Sequence, residues 1–151
     1  MTLPKIDRFN IRVYGLLVND AGAVLLSRER IGAVEFTKLP GGGMELGEGT
    51  HECLIREFKE ELGIDIEVAE HFYTTDFFQP SVFRSTDQLI SIYYKVRSLS
   101  PLSDIPMEEF TIENDGRLEQ QLLFWVPIAE LTPEAVTFPI DKLVVEKLQR
   151  S

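Results

Sequence analysis

Six glutamates within residues 45–61 are the side chains of this 151-residue chain whose type and spacing best suit chemistry. If the stretch is helical, Glu57, Glu60 and Glu61 occupy one side of the helix, within an arc of roughly 100°. Like charges at this spacing repel one another, and the repulsion is worse near a helix C-terminus. A cation that joins the three carboxylates would relieve the repulsion.

Mg²⁺ is the cation that suits such a cluster, because it is hard and prefers oxygen ligands. Neither of the two histidines nor Cys53 stands close enough in sequence to indicate a zinc site. An alternative is that the glutamates form an ordinary solvated helix face. In that case Arg56 would make i,i+4 ion pairs with Glu52 and Glu60.

The elements that must position this cluster are mostly strands. Strand patterns fall at residues 12–18, 23–28, 35–39, 64–68, 72–78, 88–96 and 121–126. The turn residues 19–22 separate the first two. Pro40–Gly43 is expected to be a loop, because proline and glycine continue neither a helix nor a good strand. Residues 98–116 are also expected to form a long loop.

Two helices are expected. The first has Thr50 as its N-cap and ends before Gly63. A second helix covers residues 143–148 and starts near Pro139. Because strands outnumber helices and the better helix lies between strands, we expect a mixed sheet with helices packed on it. The apolar stripe of the first helix comprises Leu54, Ile55, Phe58 and Leu62.

Composition and charge narrow the class of protein. A chain of this length fits one domain, residues 1–151. Its formal charge of −10 argues against a dedicated nucleic-acid-binding protein. The lone Cys53 forms no internal disulfide, no apolar run is long enough for a membrane span, and residues 1–12 lack the core of a signal peptide. We therefore expect a cytoplasmic protein.

Residues 42–64 resemble the Nudix box, Gly-x5-Glu-x7-Arg-Glu-apolar-x-Glu-Glu-x-Gly-apolar. The run Phe124-Trp125-Val126-Pro127 is also similar to the usual surroundings of that box. The resemblance implies an α+β or α/β Nudix fold, in which a mixed β-sheet is sandwiched between helices. Every defined position of the box is filled, by Gly42, Glu48, Arg56, Glu57, Phe58, Glu60, Glu61, Gly63 and Ile64.

The resemblance also implies a metal site and roles for its neighbours. The metal, Mg²⁺ with Mn²⁺ as a substitute, would be bound by Glu57, Glu60, Glu61 and the carbonyl of Gly41. Arg56 would orient a neighbouring carboxylate, Glu57 or Glu48. The backbone would pass close to the substrate at Gly42 and Gly43. Phe58 and Ile64 would be core residues.

The implied reaction is hydrolysis of a phosphoanhydride by a water that the metal activates. Glu57 is the expected base, or the residue that positions it. An acid from outside the box often assists in this family. Glu119 is the first candidate for that acid, followed by Glu109 and Glu113, although each is also consistent with a solvated acidic loop.

Substrate contacts outside the box rest on weaker patterns. Arg28 and Arg30 follow a strand, where a guanidinium could clamp a diphosphate, but either is equally consistent with a surface arginine. An aromatic side chain could stack on a base, with Phe78 the first choice. The alternative is that these rings belong to the core. The aromatic candidates are Phe77, Phe78 and Phe83.

Family substrates share a nucleoside diphosphate linked to another group. Pro80 lies sixteen residues after Ile64, which is similar to the ADP-ribose-cleaving branch. Nucleoside triphosphates and nucleotide sugars remain alternatives. The rival reading from another class is a module that binds nucleotides without cutting them, although such modules typically lose box carboxylates. The expected state is a monomer or a homodimer, with no nucleic-acid or membrane partner.

Overall fold

Two four-stranded sheets and two helices make up the part of the chain that the computed structural model describes, residues 5–114 and 116–151. Helix α1 spans Thr50–Leu62 and helix α2 spans Pro139–Arg150. The strands are β1 Arg8–Leu17, β2 Ala23–Ile31, β3 Val34–Lys38, β4 Gly41–Gly43, β5 Ile66–Thr74, β6 Asp87–Ser98, β7 Phe110–Asn114 and β8 Arg117–Pro127. Short 3-10 turns lie at Leu102–Asp104, Ile128–Glu130 and Pro133–Ala135.

The first sheet is mixed and the second is antiparallel. In the first, the strand order is β4-β1-β6-β5. Strand β1 runs parallel to β6, whereas the pairs β1–β4 and β5–β6 are antiparallel. In the second, the order is β3-β2-β8-β7. The expected α+β fold with a mixed sheet between helices is therefore confirmed, and the structure adds a second sheet.

Each helix covers one apolar cluster to which both sheets contribute. Alternate residues of a strand face opposite sides, so Val13 and Leu17 pack toward α1 whereas Tyr14 and Leu16 pack toward α2. Within β2, Leu25 joins the first cluster. Phe58 and Ile64, expected as core residues, are fully buried in that cluster. No helix in the two described ranges is long and apolar enough to cross a membrane.

The expectation of a loop at Pro40–Gly43 was wrong for its last three residues. Gly41–Gly43 form β4, which pairs antiparallel with β1 so that Gly43 lies opposite Arg12. Glycine has low strand propensity because it loses much backbone entropy. Here the absence of side chains is what allows the segment to lie between β1 and α1.

The expectation of one long loop over residues 98–116 was also wrong. The segment contains a 3-10 turn and strand β7, which pairs with β8. Asp115 lies outside the described residues. So do residues 1–4, which belong to the N-terminal range 1–12 that is expected to lack the core of a signal peptide. The alternation of Phe110 and Ile112 with polar neighbours, followed by an Asp-Gly pair, is a hairpin signal. The strand was missed because its acidic flanks resemble a loop.

Candidate active site

Helix α1 holds the box glutamates, and its two ends are defined by glycines. Gly49, not Thr50 as expected, is the N-cap, and its N–H donates to Glu52 Oε1 at 2.9 Å. The side chain of Thr50 is instead 2.8 Å from the Tyr94 hydroxyl. At the other end Gly63 adopts φ 73° and its N–H donates to the Lys59 carbonyl at 3.1 Å, as expected for a C-terminal cap.

The glycine strand β4 lies directly against a box carboxylate. A Cβ atom added to Gly42 would lie 2.5 Å from Glu57 Cδ, well inside van der Waals contact. Only a residue without a side chain allows this approach. Gly42 thus sets how closely the β4 backbone and the Glu57 carboxylate face each other.

Glu57, Glu60 and Glu61 form a row of carboxylates on α1, and Arg56 neutralises the outer side of this carboxylate row. Its Nε donates to Glu48 Oε2 at 3.0 Å and its Nη2 to Glu48 Oε1 at 2.7 Å, a bidentate pair. Its Nη1 donates to Glu57 Oε1 at 2.9 Å and to Glu60 Oε2 at 3.2 Å. The hydrogen bonds from Arg56 lower the pKa of Glu48 to about 2. Arg56 therefore contacts both carboxylates that the sequence analysis named.

Glu61 occupies the opposite, buried side of the row. Burial raises the pKa of Glu61 to about 8, against the opposing effect of Lys38, and the charges of Glu29 and Glu57 add to the rise. Within the described chain its Oε2 atom is buried and has no hydrogen-bond partner. A buried oxygen without a partner is costly unless a ligand satisfies it. Glu61 is therefore the box residue most in need of a cation.

A buried ion pair stands beside Glu61. Lys38 Nζ lies 3.1 Å from Glu29 Oε2, and both side chains are 6% exposed. Ser27 Oγ also donates to Glu29 Oε2, at 3.0 Å. Burial alone would lower the pKa of Lys38, but Glu29 and then Glu61 outweigh it and the pKa is raised. The ammonium also donates to the Gly41 carbonyl at 3.2 Å.

The donor set fits a hard divalent cation, although it is not gathered around one point. In residues 5–114 and 116–151, no three acidic, histidine or cysteine side chains converge as ion ligands. Glu60 is exposed and bound by Arg56, whereas Glu61 is half-buried and its Oε2 atom is buried. The fit rests on chemistry: the groups are all oxygens, and Glu61 Oε2 is a buried acceptor without a donor. Binding would require Lys38 to share the Gly41 carbonyl.

These groups open into a cleft of about 530 Å³ between the two sheets. One wall is formed by β1 and β6, and the other by β2, β3 and β8. The volume is in the range typical of small-molecule sites. Side chains that line the cleft between the box and its far end include Arg12, Tyr14, Phe36, Phe83, Asp87 and Asp141.

Of the three acids considered outside the box, Glu119 is the one that lines this cleft. It lies on β8 and is 8% exposed. Glu109 lies instead 3.7 Å from Arg30, and Glu113 is exposed on β7. Glu119 has partners of its own within the fold. Of the three candidates, Glu119 is thus the one that shares a cleft with Glu57 and Glu61.

The structure does not bring the arginines suggested as a clamp to the cleft. Arg28 and Arg30 line a separate pocket of about 140 Å³, whereas Glu29 between them also faces the cleft. The guanidinium of Arg28 stacks over the Phe124 ring, with its centroid at 5.5 Å. The period-2 alternation of a strand explains the split. Their role in substrate binding stays a prediction.

Among the aromatic candidates, Phe83 lines the cleft and Phe78 does not. Phe78 is 59% exposed and lies beyond the end of β5. The Phe83 ring packs against Phe36, with centroids 5.2 Å apart, and against Phe138, at 5.7 Å. Phe83 is therefore the better placed ring for stacking, and the assignment of Phe78 stays a prediction.

Sequence analysis missed several polar residues of the cleft, among them Arg12, Tyr14, Glu29 and Lys38. On β1, Arg12 and Tyr14 alternate with buried Val13, and this polar-apolar alternation was a usable signal that the strand has one functional face. Glu29 and Lys38 left no such signal. β2 and β3 pair antiparallel with Glu29 opposite Phe36, so Lys38, two residues further along β3, lies diagonally across from Glu29. Glu29 and Lys38 therefore meet although they are 9 residues apart in the sequence.

Comparisons with known proteins identify the family of the chain. The family model for the NUDIX domain matches residues 8–147. Nudix hydrolase 2 of Arabidopsis thaliana is 31% identical over 119 residues, which are 74% of this chain and 40% of that protein. An RNA pyrophosphohydrolase of Roseobacter denitrificans is 34% identical over 82 residues, 53% of this chain and 51% of the relative. The chain thus spans about half or less of these curated relatives.

Solved structures support the fold alone. The crystal structure of a MutT NUDIX hydrolase from Burkholderia pseudomallei superposes with a TM-score of 0.69. It is 20% identical, and the match covers 93% of this chain and 98% of that one. A MutT protein from Methanosarcina mazei Go1 gives a TM-score of 0.65 at 22% identity, with 99% and 97% covered. With the family model matched over residues 8–147, the chain belongs to the NUDIX domain family.

Proposed function

We propose that this protein is a divalent-metal-dependent hydrolase that cleaves a phosphoanhydride bond in a nucleoside diphosphate linked to another group. The observation that carries the proposal is the buried Glu61 Oε2, an acceptor without a donor in the described structure. Glu61 lines a cleft of about 530 Å³ that the rings of Phe36 and Phe83 also line. An oxygen of this kind suits a cation that arrives with the substrate.

The metal would be held by Glu57, Glu60, Glu61 and the Gly41 carbonyl, with Mg²⁺ as the expected ion and Mn²⁺ as a substitute. When bound, such an ion neutralises phosphate oxygens and lowers the pKa of a water from ~15.7 toward ~7. Glu60 would have to turn toward the cleft to join the set, since its side chain is 60% exposed and its Oε2 accepts from Arg56 at 3.2 Å.

The remaining roles fall to side chains that bind, orient or move a proton. Arg56 holds Glu57 Oε1 at 2.9 Å and so limits the rotation of that carboxylate. Glu57 then accepts the proton of the attacking water, or positions that water for Glu119, which lines the same cleft. The backbone of Gly42 and Gly43 lets the phosphates approach without a side chain between them.

The substrate class extends to nucleoside triphosphates, ADP-ribose and nucleotide sugars. Pro80, the residue similar to the ADP-ribose-cleaving branch, pairs with Gln88 next to the segment Ser81–Arg84 that lines the cleft. The 5′ end of an RNA is less suited as a substrate, because the protein has a formal charge of −10 and repels a polyanion. The cleft therefore favours a small nucleotide.

A substrate screen tests the proposal. Nucleoside triphosphates, ADP-ribose, nucleotide sugars and dinucleoside polyphosphates would be incubated with the protein and Mg²⁺ or Mn²⁺, and products identified by mass spectrometry. We expect turnover of at least one class, its loss with a chelator and its loss in Glu57→Gln. Glu67→Gln is the matched control, because Glu67 is 55% exposed and paired with Arg97 away from the cleft. Binding of nucleotides without turnover would replace the hydrolase with a sensor module.

We also propose that residues 1–151 act as one domain in the cytoplasm. The lone Cys53 is buried, 3.9 Å from the Gly42 carbonyl, and burial raises its pKa to about 12, so it is a structural thiol. The proposed state is a monomer or a homodimer. Light scattering on the purified chain distinguishes the two, and a larger assembly would contradict both.

A further inference from the structure

Arg12 is a cation of the cleft that the proposed function leaves without a role. It lies on β1 opposite Gly43 of β4, and its side chain faces the cleft. The guanidinium runs along the glycine strand, since Arg12 Nη1 is 3.5 Å from where a Cβ of Gly43 would stand. Arg12 is thus on the cleft side of the box, opposite the side that Arg56 occupies.

The bonding of Arg12 differs from that of two other cleft arginines, Arg8 and Arg84. Arg8 and Arg84 both contact Asp87 Oδ1, at 3.2 and 3.6 Å. Arg12 donates through Nε to the Tyr14 hydroxyl at 2.6 Å, and its guanidinium lies over the Tyr14 ring, 5.8 Å from the centroid. Across the described chain, no carboxylate lies within ion-pair distance of Arg12.

The charge of Arg12 is nevertheless well supported. The pKa of Arg12 is raised, first by Tyr14 and then by the carboxylates of Glu57 and Glu29, which outweigh burial. Those two carboxylates act through space and leave the Nη groups without an ion pair. Tyr14 fixes the Nε edge, so the Nη groups are the donors left to face the cleft. This is the fork geometry that suits a phosphate.

We propose that Arg12, oriented by Tyr14, binds a phosphate group of the substrate's diphosphate. The proposal rests on the proposed function for the identity of the ligand. It assigns the diphosphate contact to β1 and not to Arg28 or Arg30, which line a pocket on the other face of β2. Tyr14 is a positioning residue, because it acts through the guanidinium.

Equilibrium binding of inorganic pyrophosphate and of ADP, with Mg²⁺ present, tests the assignment by calorimetry. We expect Arg12→Gln to raise both dissociation constants by roughly tenfold or more, since a charged hydrogen-bond donor is lost. Arg12→Lys should recover only part of the affinity, because it lacks the fork. Tyr14→Phe should weaken binding by less than Arg12→Gln does.

Arg97→Ala is the matched control, since Arg97 is 66% exposed and lies away from the cleft. It should change the dissociation constants by less than about twofold, the range expected for an exposed pair. Thermal melting of each variant identifies any that fails to fold, and Arg12→Lys then carries the test.

Three results would overturn the assignment: wild-type protein that binds neither probe, unchanged binding in Arg12→Gln, or the loss of affinity in Arg28→Gln instead. If the probes bind through Arg12 but no substrate is hydrolysed, the assignment stands and the proposed hydrolase activity fails. The two proposals are therefore tested separately.

Discussion

The two sides of the carboxylate row on α1 are balanced in different ways. On the outer side, Arg56 contacts Glu48, Glu57 and Glu60 at distances of 2.7 to 3.2 Å. On the cleft side, Glu61 keeps an oxygen without a hydrogen-bond partner in the described structure, and burial raises its pKa. On the outer side the carboxylates are paired with Arg56, whereas on the cleft side an oxygen stays unsatisfied in the described structure, and we propose that a cation binds there.

Residues on the outer side hold the carboxylates in position, whereas we propose that residues on the cleft side bind the metal and the substrate. An arginine that satisfies several carboxylates holds them in place and keeps them ionised. A buried carboxylate that is not fully satisfied costs stability, and such a cost persists where function requires it. We therefore expect changes on the cleft side to affect activity most, and changes on the outer side to affect geometry and acid stability.

The largest effect is expected for Glu61→Gln. Loss of this ligand should lower turnover by roughly a thousandfold, because a bound metal contributes several kcal/mol to transition-state stabilisation. In the absence of metal, the Glu61→Gln variant should melt no lower than the wild-type protein at pH 7. The folded-state pKa of Glu61 lies above its usual 4.5, so the metal-free wild-type protein should lose stability as pH rises from 4.5 through about 8, and Glu61→Gln should not. Turnover and melting at pH 6 and pH 9 check both points, and unchanged turnover would remove Glu61 from the site.

A large loss of stability is expected for Lys38→Met. The substitution leaves Glu29 buried without its ion partner, which costs about 3–5 kcal/mol of the free energy of unfolding. The double variant Lys38→Met with Glu29→Gln should recover most of that loss, because the buried charge is gone. Urea unfolding of the wild type and both variants measures it. A double variant no more stable than the single one would show that the ammonium, and not the pair, is what the fold requires.

The smallest effect is expected for Arg56→Lys on the outer side. A lysine cannot reproduce the bidentate contact with Glu48, and the loss should be about 1 kcal/mol. The pKa of Glu48 should rise from about 2 toward 4.5. Because that pKa is lowered in the folded state, the contribution is present above pH 4.5 and is lost as pH falls through 2. NMR titration of the Glu48 carboxyl tests this, and an unmoved pKa would contradict the role given to Arg56.

The outer side was predictable from sequence because its contacts are local. Arg56 and Glu60 lie four residues apart on one helix, where a period of 3.6 residues brings side chains at that spacing together, whereas the contacts of Arg56 with Glu57 and Glu48 were implied by the resemblance to the Nudix box. Gly63 likewise ends the helix through its own backbone conformation. The side chains that build the site are therefore encoded within a short stretch.

The cleft side was not predictable in the same way, because strand pairing assembles it. Arg12 reaches the box only through the register that sets it opposite Gly43, 31 positions later in the chain. Glu29 and Lys38 meet across β2 and β3. Register depends on the whole sheet, and a slip of one residue would turn each of these side chains to the other face. The same dependence explains why Arg28 and Arg30 line a pocket separate from the cleft.

The central claim is that a divalent cation binds the box carboxylates through the Glu61 oxygen that has no hydrogen-bond partner in the described structure. Titration of Mn²⁺ by calorimetry at pH 7, in buffers of different ionisation enthalpy, tests it directly. We expect wild-type protein to bind the ion and release about one proton per ion, because ligands must be deprotonated to bind. Glu61→Gln should bind more weakly and release none. Absence of binding with and without nucleotide, or equal proton release in both proteins, would contradict the claim.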